Sequence, residues 1–206
     1  MPSVIETIQK RRSIRNFLAH EVPPELVLES LAAAGWAPSA HNSQPWRFIV
    51  ICDPSLKQNL ACAMAEAWAA DLAQDGLAVD EEKRMVRIER FAKAPVLILA
   101  CLTMEGVRKF PDAERHGYER DLALQGLGAG IQNLLLAATA AKLASCWFCA
   151  PGFCKETVRI ILDIPAEVEP HAFVILGYTG ETPPSPPKKS ISDYCFINLW
   201  GKKLKI

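Results

Sequence analysis

Three guanidiniums and a hydroxyl fall within five residues in the stretch RRSIRNF, at Arg11, Arg12, Ser13 and Arg15. A guanidinium presents paired donors that match phosphate oxygens, so this cluster could clasp an anion. Cations at a helix C-terminus also complement the helix dipole at about 0.3–1 kcal/mol each, which accounts for one or two of them. Lys188 and Lys189 form a second cationic pair that could close on the same anion; as solvated surface charge they would need no further explanation. A second candidate is APSAHNSQPWRF, Ala37 to Phe48. A surface turn needs one or two small hydrogen-bonding residues, whereas Ser39, His41, Asn42, Ser43 and Gln44 crowd ahead of a Pro-Trp step. That density marks a binding loop.

Two further motifs carry less chemistry. The CWFC stretch, Cys146 to Cys149, has the spacing of a thiol-disulfide site or half of a metal site. A structural zinc needs two more ligands at a matching spacing, and neither the other cysteines nor the four histidines supply them. A redox thiol belongs at a helix N-terminus, whereas Cys146 falls in a strand-like run. His41 and His171 are not spaced as metal ligands. The glycines of GLGAGIQN fail the G-x-G-x-x-G pattern because Ile131 stands where glycine is required, and no strand precedes them. Close helix packing accounts for them better. There is no G-x-x-x-x-G-K-[ST] and no G-x-S-x-G elbow. Hydrogen-bonding loops and cations without an evident proton-transfer pair suit an enzyme whose chemistry belongs to a bound cofactor.

The elements that must position these residues follow from caps and periodicity. Ser3 and Glu6 form a capping box for a first helix ending near Lys10 to Arg12. Pro23 and Pro24 start a second helix, ended by Gly35 and Pro38. RFIVIC reads as a strand, Asp53-Pro54 opens a third helix, and Gln74 to Asp80 breaks it. A charged amphipathic helix over Glu82 to Lys93 leads into the strand APVLILACL. A loop with Gly106, Pro111 and Gly117 precedes a long apolar helix from Tyr118 to Leu143, able to serve as the spine of the domain or of a dimer. A strand at SCWFC, a helix near Lys155 to Leu162 and the strand HAFVILGY complete an α/β or α+β sandwich. ETPPSPPKKS is extended, and the apolar SISDYCFINLW after it needs a place to bury itself.

Composition bounds the function. At 206 residues one domain of ordinary size is expected. Lys+Arg and Asp+Glu balance at 23 each, so no global field favours nucleic acid or an anionic membrane. No apolar run reaches the roughly 18 residues of a membrane span, and the N-terminus does not read as a secretory signal. Seven scattered cysteines suit reduced, mostly buried thiols in a cytoplasmic protein.

Taken in order, RRSIRNF, APSAHNSQPWRFIVI, GAGIQNLLLAA and ILGY resemble the FMN-dependent nitroreductase family over nearly the whole chain. The resemblance implies an α+β fold, a three-layer α/β/α sandwich with a mainly antiparallel central sheet. It implies a single domain over residues 1–206 that forms an intertwined homodimer with two FMN at the subunit interface. Residues from about 183 to 206 would be an extension crossing to the partner subunit. By the same resemblance Arg11 and Ser13 hold the FMN phosphate, Arg12 serves the ribityl chain or phosphate, and Lys188 and Lys189 complete the phosphate site. Arg15 lies near the N1 and C2 carbonyl edge, where a cation stabilises the charge left by hydride addition. Pro38, Ser39, Ala40 and Asn42 contact the flavin ring, often from the second subunit. Gln44 is a flavin-side contact, His41 touches substrate, and Trp46 is a core anchor.

Ala150, Pro151 and Gly152 match the turn whose backbone NH faces flavin N5; Pro151 has none, so Ala150 or Gly152 donates. The implied chemistry is ping-pong hydride transfer from NAD(P)H through FMN to a small oxidised acceptor such as a nitroaromatic, a quinone or an activated alkene. No side chain is assigned as a catalytic acid. SAHNSQPWRF and WFCAPGFC also look similar to relatives fused to a ligase that builds a deazaflavin coenzyme, so a dehydro-deazaflavin precursor is an alternative substrate. Branches that deiodinate tyrosine or consume their own FMN are not selected by any residue.

Overall fold

A computed structural model describes residues 3–204. The ends of the expected domain 1–206, two residues at each terminus, lie outside the described residues. Helix α1 (Val4–Lys10) starts at the expected capping box: Ser3 Oγ accepts from the Glu6 amide at 3.2 Å, and Glu6 Oε2 accepts from the Ser3 amide at 2.7 Å. After α2 (Pro24–Gly35) come β1 (Trp46–Ile51), α3 (Pro54–Gln74), α4 (Glu81–Ala92), β2 (Val96–Thr103) and α5 (Ala113–Ala140). The chain continues through β3 (Ala144–Phe148), α6 (Lys155–Ile161) and β4 (Val168–Gly177).

The four strands form one antiparallel sheet in the order β1-β2-β4-β3. Successive residues of a strand point to opposite faces. Ile98, Ala100 and Leu102 of β2 accordingly join Val174 and Leu176 of β4 under α2 and α5. Leu97, Leu99 and Cys101 join Phe173 and Ile175 in the core beneath α3, α4 and α6. Both faces of the central strands are covered, so APVLILACL is apolar throughout rather than alternating. The result is the expected three-layer α+β sandwich.

The strands differ at their edges. Beside β3, Ser13 bridges to Ser145, and the amide of Ile14 donates to the Ser145 carbonyl at 2.9 Å. The outer edge of β1 has no partner strand among the described residues. Within β4, Ala172 faces Ala100 while Pro170 faces Cys101, leaving His171 as the extra residue of a bulge. Proline lacks the ladder donor, which is why the register breaks there.

The glycines of α5 act in packing. A Cβ at Gly126 would lie 3.3 Å from Ser39 Cβ, and one at Gly130 3.3 Å from the Ala34 carbonyl oxygen. Helix α5 therefore lies close against the end of α2 and the loop that follows. Gly177 is tighter still, because an added Cβ would stand 2.9 Å from both Phe17 Cδ1 and Pro95 Cγ. Neither ring yields cheaply, so G177A is expected to lose about 1–3 kcal/mol. For a chain this size that is a melting temperature lower by roughly 2 to 12 °C, and an unchanged melt would refute the clash.

Two expectations need correction. Gly117 belongs to α5 rather than to the preceding loop, because Asp112 Oδ1 accepts from the Arg115 amide at 2.8 Å and starts the helix early. The cysteines are free but not mostly buried: Cys101 and Cys146 are, whereas Cys52 and Cys149 are exposed. By length and apolar composition α5 does meet the requirement for crossing a membrane, which no single apolar run does. In this fold Leu127, Ile131 and Leu134 of α5 are buried in the core shared with α2 and the sheet.

Candidate functional site

Where α1 ends, the chain turns into an extended segment along the edge of β3, and the period of two separates its side chains. Ile14 is buried in the protein, and Arg11, Ser13 and Arg15 line a cleft of about 610 Å³. The opposite wall is Pro183 to Pro186 with Lys188, so segments far apart in the sequence meet here. Among the described residues no carboxylate lines the cleft. Such a donor set suits an anion. Arg12 borders it too, but its Nη1 donates to the carbonyls of Gln9 at 2.5 Å and Arg11 at 2.8 Å, closing the C-terminal turn of α1. Its Nε is buried without a partner among the described residues, as is the hydroxyl of Ser145 beside Ser13. Lys189 is exposed and does not line the cleft.

The Pro38–Gln44 loop sits where α2 meets α5. Residues Ala40–Asn42 form a short 3-10 turn, and the amides of Asn42 and Ser43 donate to the carbonyls of Ser39 and Ala40, both at 3.0 Å. Ser39 Oγ accepts from the Gln44 amide at 3.0 Å. His41, Asn42 and Gln44 have φ of 54°, 54° and 46°, a left-handed conformation that side chains other than glycine's adopt at a cost. A hydrogen-bonded loop thus holds Pro38, His41, Asn42 and Gln44 exposed, with Ser39 and Ala40 half-buried. Trp46 behind it is buried in the core, as its anchor role requires. No residue of this loop lines the cationic cleft.

The turn Ala150–Phe153 follows β3. The Gly152 amide donates to the Cys149 carbonyl at 3.0 Å and Pro151 has no NH, so of the three matched residues Ala150 alone has an amide without an acceptor among the described residues. A Cβ at Gly152 would lie 3.5 Å from the carbonyl of the bulged His171. Just beyond the turn, Lys155 pairs with Glu169, which also receives both carboxylate contacts of Arg120 Nη2, at 2.9 and 3.0 Å. His171 Nε2 is 3.6 Å from the same carboxylate. Burial would raise the Glu169 pKa, but the hydrogen bonds from Lys155 and Arg120 outweigh it and bring the carboxyl from 4.5 down to about 2. Burial pushes the His171 pKa down, against the pull of Glu169.

A carboxyl whose folded pKa is depressed contributes stability above its unfolded pKa and loses it as pH falls through the folded one. The Glu169 contribution is full above about pH 4.5 and disappears toward pH 2. Discounted for partial exposure, E169Q should lose about 1–2 kcal/mol at pH 7. Its stability should also fall less than that of the parent protein between pH 5 and pH 3. Parallel urea titrations would read this, and identical pH slopes would refute it.

Residue patterns alone missed Arg90 and the Glu169 cluster. Arg90 lies over the Phe148 ring at 5.3 Å and lines a shallow cleft with Arg15. Burial, then the nearby charges of Arg87 and Arg15, lower its pKa. Its i,i+3 spacing from Arg87 was a signal, masked by the dense charge of α4. Burial raises the Cys146 pKa despite Arg15 and Arg90 nearby, opposite to what a reactive thiolate needs. Among the described residues no three His, Cys, Asp or Glu side chains converge as metal ligands.

A family model described as "Nitroreductase family" matches residues 8–178. The NADH dehydrogenase of Thermus thermophilus is 33% identical over 186 residues, spanning 84% of each chain. A BluB-like flavoprotein from Clostridium difficile 630 superposes with a TM-score of 0.78 at 28% identity, covering 95% of this chain and 98% of that one. Oxidized iodotyrosine deiodinase, solved with FMN and 3-iodo-L-tyrosine, shares the fold with a TM-score of 0.71 at 24% identity, covering 94% and 99%.

Proposed function

Because the chain belongs to the nitroreductase family and is an oxidoreductase, we propose that it is an FMN-dependent NAD(P)H oxidoreductase reducing nitroaromatic, quinone or related small acceptors. The observation that carries this reading is the cleft joining Arg11, Ser13 and Arg15 to Lys188, with no opposing carboxylate among the described residues. The donors fit the cofactor. Arg11, Ser13 and Lys188 offer charge-assisted and hydroxyl hydrogen bonds to a phosphate, and unpartnered buried polar atoms flank them at Arg12 and Ser145.

Arg15, with Arg90 beside it, supplies positive charge for the pyrimidine edge of the ring, and the Ala150 amide is the donor offered to N5. Lys189 adds charge from outside the cleft. When bound, FMN supplies the hydride chemistry between NAD(P)H and the acceptor. The protein's part is to hold and orient it and to stabilise charge.

The reading includes a homodimer. The ring-contacting loop Pro38–Gln44 and the cationic cleft belong to different parts of one subunit, and a second subunit would bring His41, Asn42 and Gln44 to the first one's flavin. Exposed aromatic surface supports this: Trp36 beside that loop is 88% exposed and Trp200 in the extension 93%. The whole chain 1–206 acts in this reading as one domain with its extension. The free thiols of the described residues suit a cytoplasmic location.

The test is the visible absorption of purified protein reconstituted with FMN, before and after anaerobic NAD(P)H. Retained yellow colour that bleaches is expected. Protein that neither holds FMN nor oxidises NAD(P)H would overturn the proposal.

A further inference from the structure

Between α3, α4 and the Ala150–Phe153 turn lies a cavity of about 250 Å³ that the reading above leaves without a role. Its floor is apolar: Met64, Ala65 and Phe91 are all buried. Phe153 stands at its lip, 84% exposed despite its size. Two charged side chains open into it, Asp71 and Arg87. The Arg87 guanidinium carbon lies 4.0 Å from the centre of the Trp68 ring. On the same helix Arg84 pairs with Glu81, and Lys93 just beyond its end pairs with Glu89, whereas Arg87 has no ion pair among the described residues.

A guanidinium laid on an indole uses its flat face and leaves its edge of N–H donors free. That edge matches a carboxylate bidentately. The cavity is smaller than the roughly 300–1,000 Å³ of sites that hold drug-sized ligands, so it suits one aromatic ring rather than a fused tricycle. We propose that this cavity seats the acceptor and that Arg87, held on Trp68, selects single-ring aromatics that carry an anionic group, a carboxylate first. This rests on the flavin reading, because the Ala150–Phe153 turn that walls the cavity is the one assigned to N5. Asp71, on the same wall, repels the anion and sets an upper limit to its affinity.

Benzoate and benzamide share ring and shape and differ in charge, so calorimetric titration of the FMN-loaded protein with each isolates the role of Arg87. Benzoate is expected to bind about tenfold more tightly than benzamide. R87Q should abolish that preference, and D71N should strengthen benzoate about threefold. The opposite signs keep the test decisive even if R87Q disturbs α4, since loss of structure would weaken both ligands in either variant. A protein that holds FMN but treats the two ligands alike, or an R87Q protein that keeps the preference, overturns the selector role alone. A protein that refuses FMN overturns the flavin reading and the acceptor role with it.

Discussion

R11Q protein should purify colourless and recover FMN about 100-fold more weakly than the parent, roughly 2.7 kcal/mol of binding. Arg11 is the first residue after α1, and its side chain faces the cationic cleft with no hydrogen-bond partner among the described residues. Its removal therefore takes donors from a ligand and leaves the fold intact, with a stability change within about 0.5 kcal/mol. R12Q is the informative contrast. That guanidinium closes the last turn of α1, so its loss should act more on stability than on the flavin. FMN titration and thermal melts on both variants separate the cases. Equal FMN loss in the two would show that the cluster works as undifferentiated charge.

Truncation after Lys189 is expected to convert the proposed dimer to monomer and aggregate, and to weaken FMN retention although every cation of the cleft remains. The removed segment is a small apolar structure of its own. The Ile197 amide donates to the Lys202 carbonyl at 2.9 Å, Phe196 bridges to Lys203, and the rings of Phe196 and Trp200 lie 4.9 Å apart. Its large apolar residues Ile191, Tyr194, Leu199 and Trp200 are nonetheless exposed on the single chain. Helix α1 leaves Val4, Ile5 and Ile8 exposed as well. Such surface is stable in water when a second subunit covers it. Size-exclusion chromatography with light scattering decides the matter: an intact, FMN-loaded dimer from the truncated chain would show that the extension does not join the subunits.

Much of the fold was legible in local residue chemistry. The Ser3–Glu6 box, Pro24 and Asp53-Pro54 mark helix starts that depend on neighbours in sequence, and all three stand where expected. The packing role of Gly126 and Gly130 was legible too, through the failure of the dinucleotide pattern. What was not legible depends on residues distant along the chain. The different tasks of Arg11 and Arg12 appear only once the segment lies along β3. The His171 bulge needs the register of β4 on β2, and the Glu169 cluster needs α5, α6 and β4 together. The left-handed backbone of His41, Asn42 and Gln44 carries no glycine to announce it. The start of α5 at Ala113 was hidden because Gly117 reads as a breaker when its Asp112 cap is overlooked.

The bare outer edge of β1 bears on how the protein survives synthesis. Among the described residues no strand pairs with that edge, and its backbone donors and acceptors beside the apolar run Phe48, Ile49, Val50 and Ile51 are a template for strand addition by any passing chain. A chain emerging from the ribosome is open to misassembly at this edge, a hazard that shifts with temperature and crowding. Slower expression at lower temperature should raise soluble yield out of proportion to the total. Chaperones that bind extended apolar segments should meet this chain at that edge.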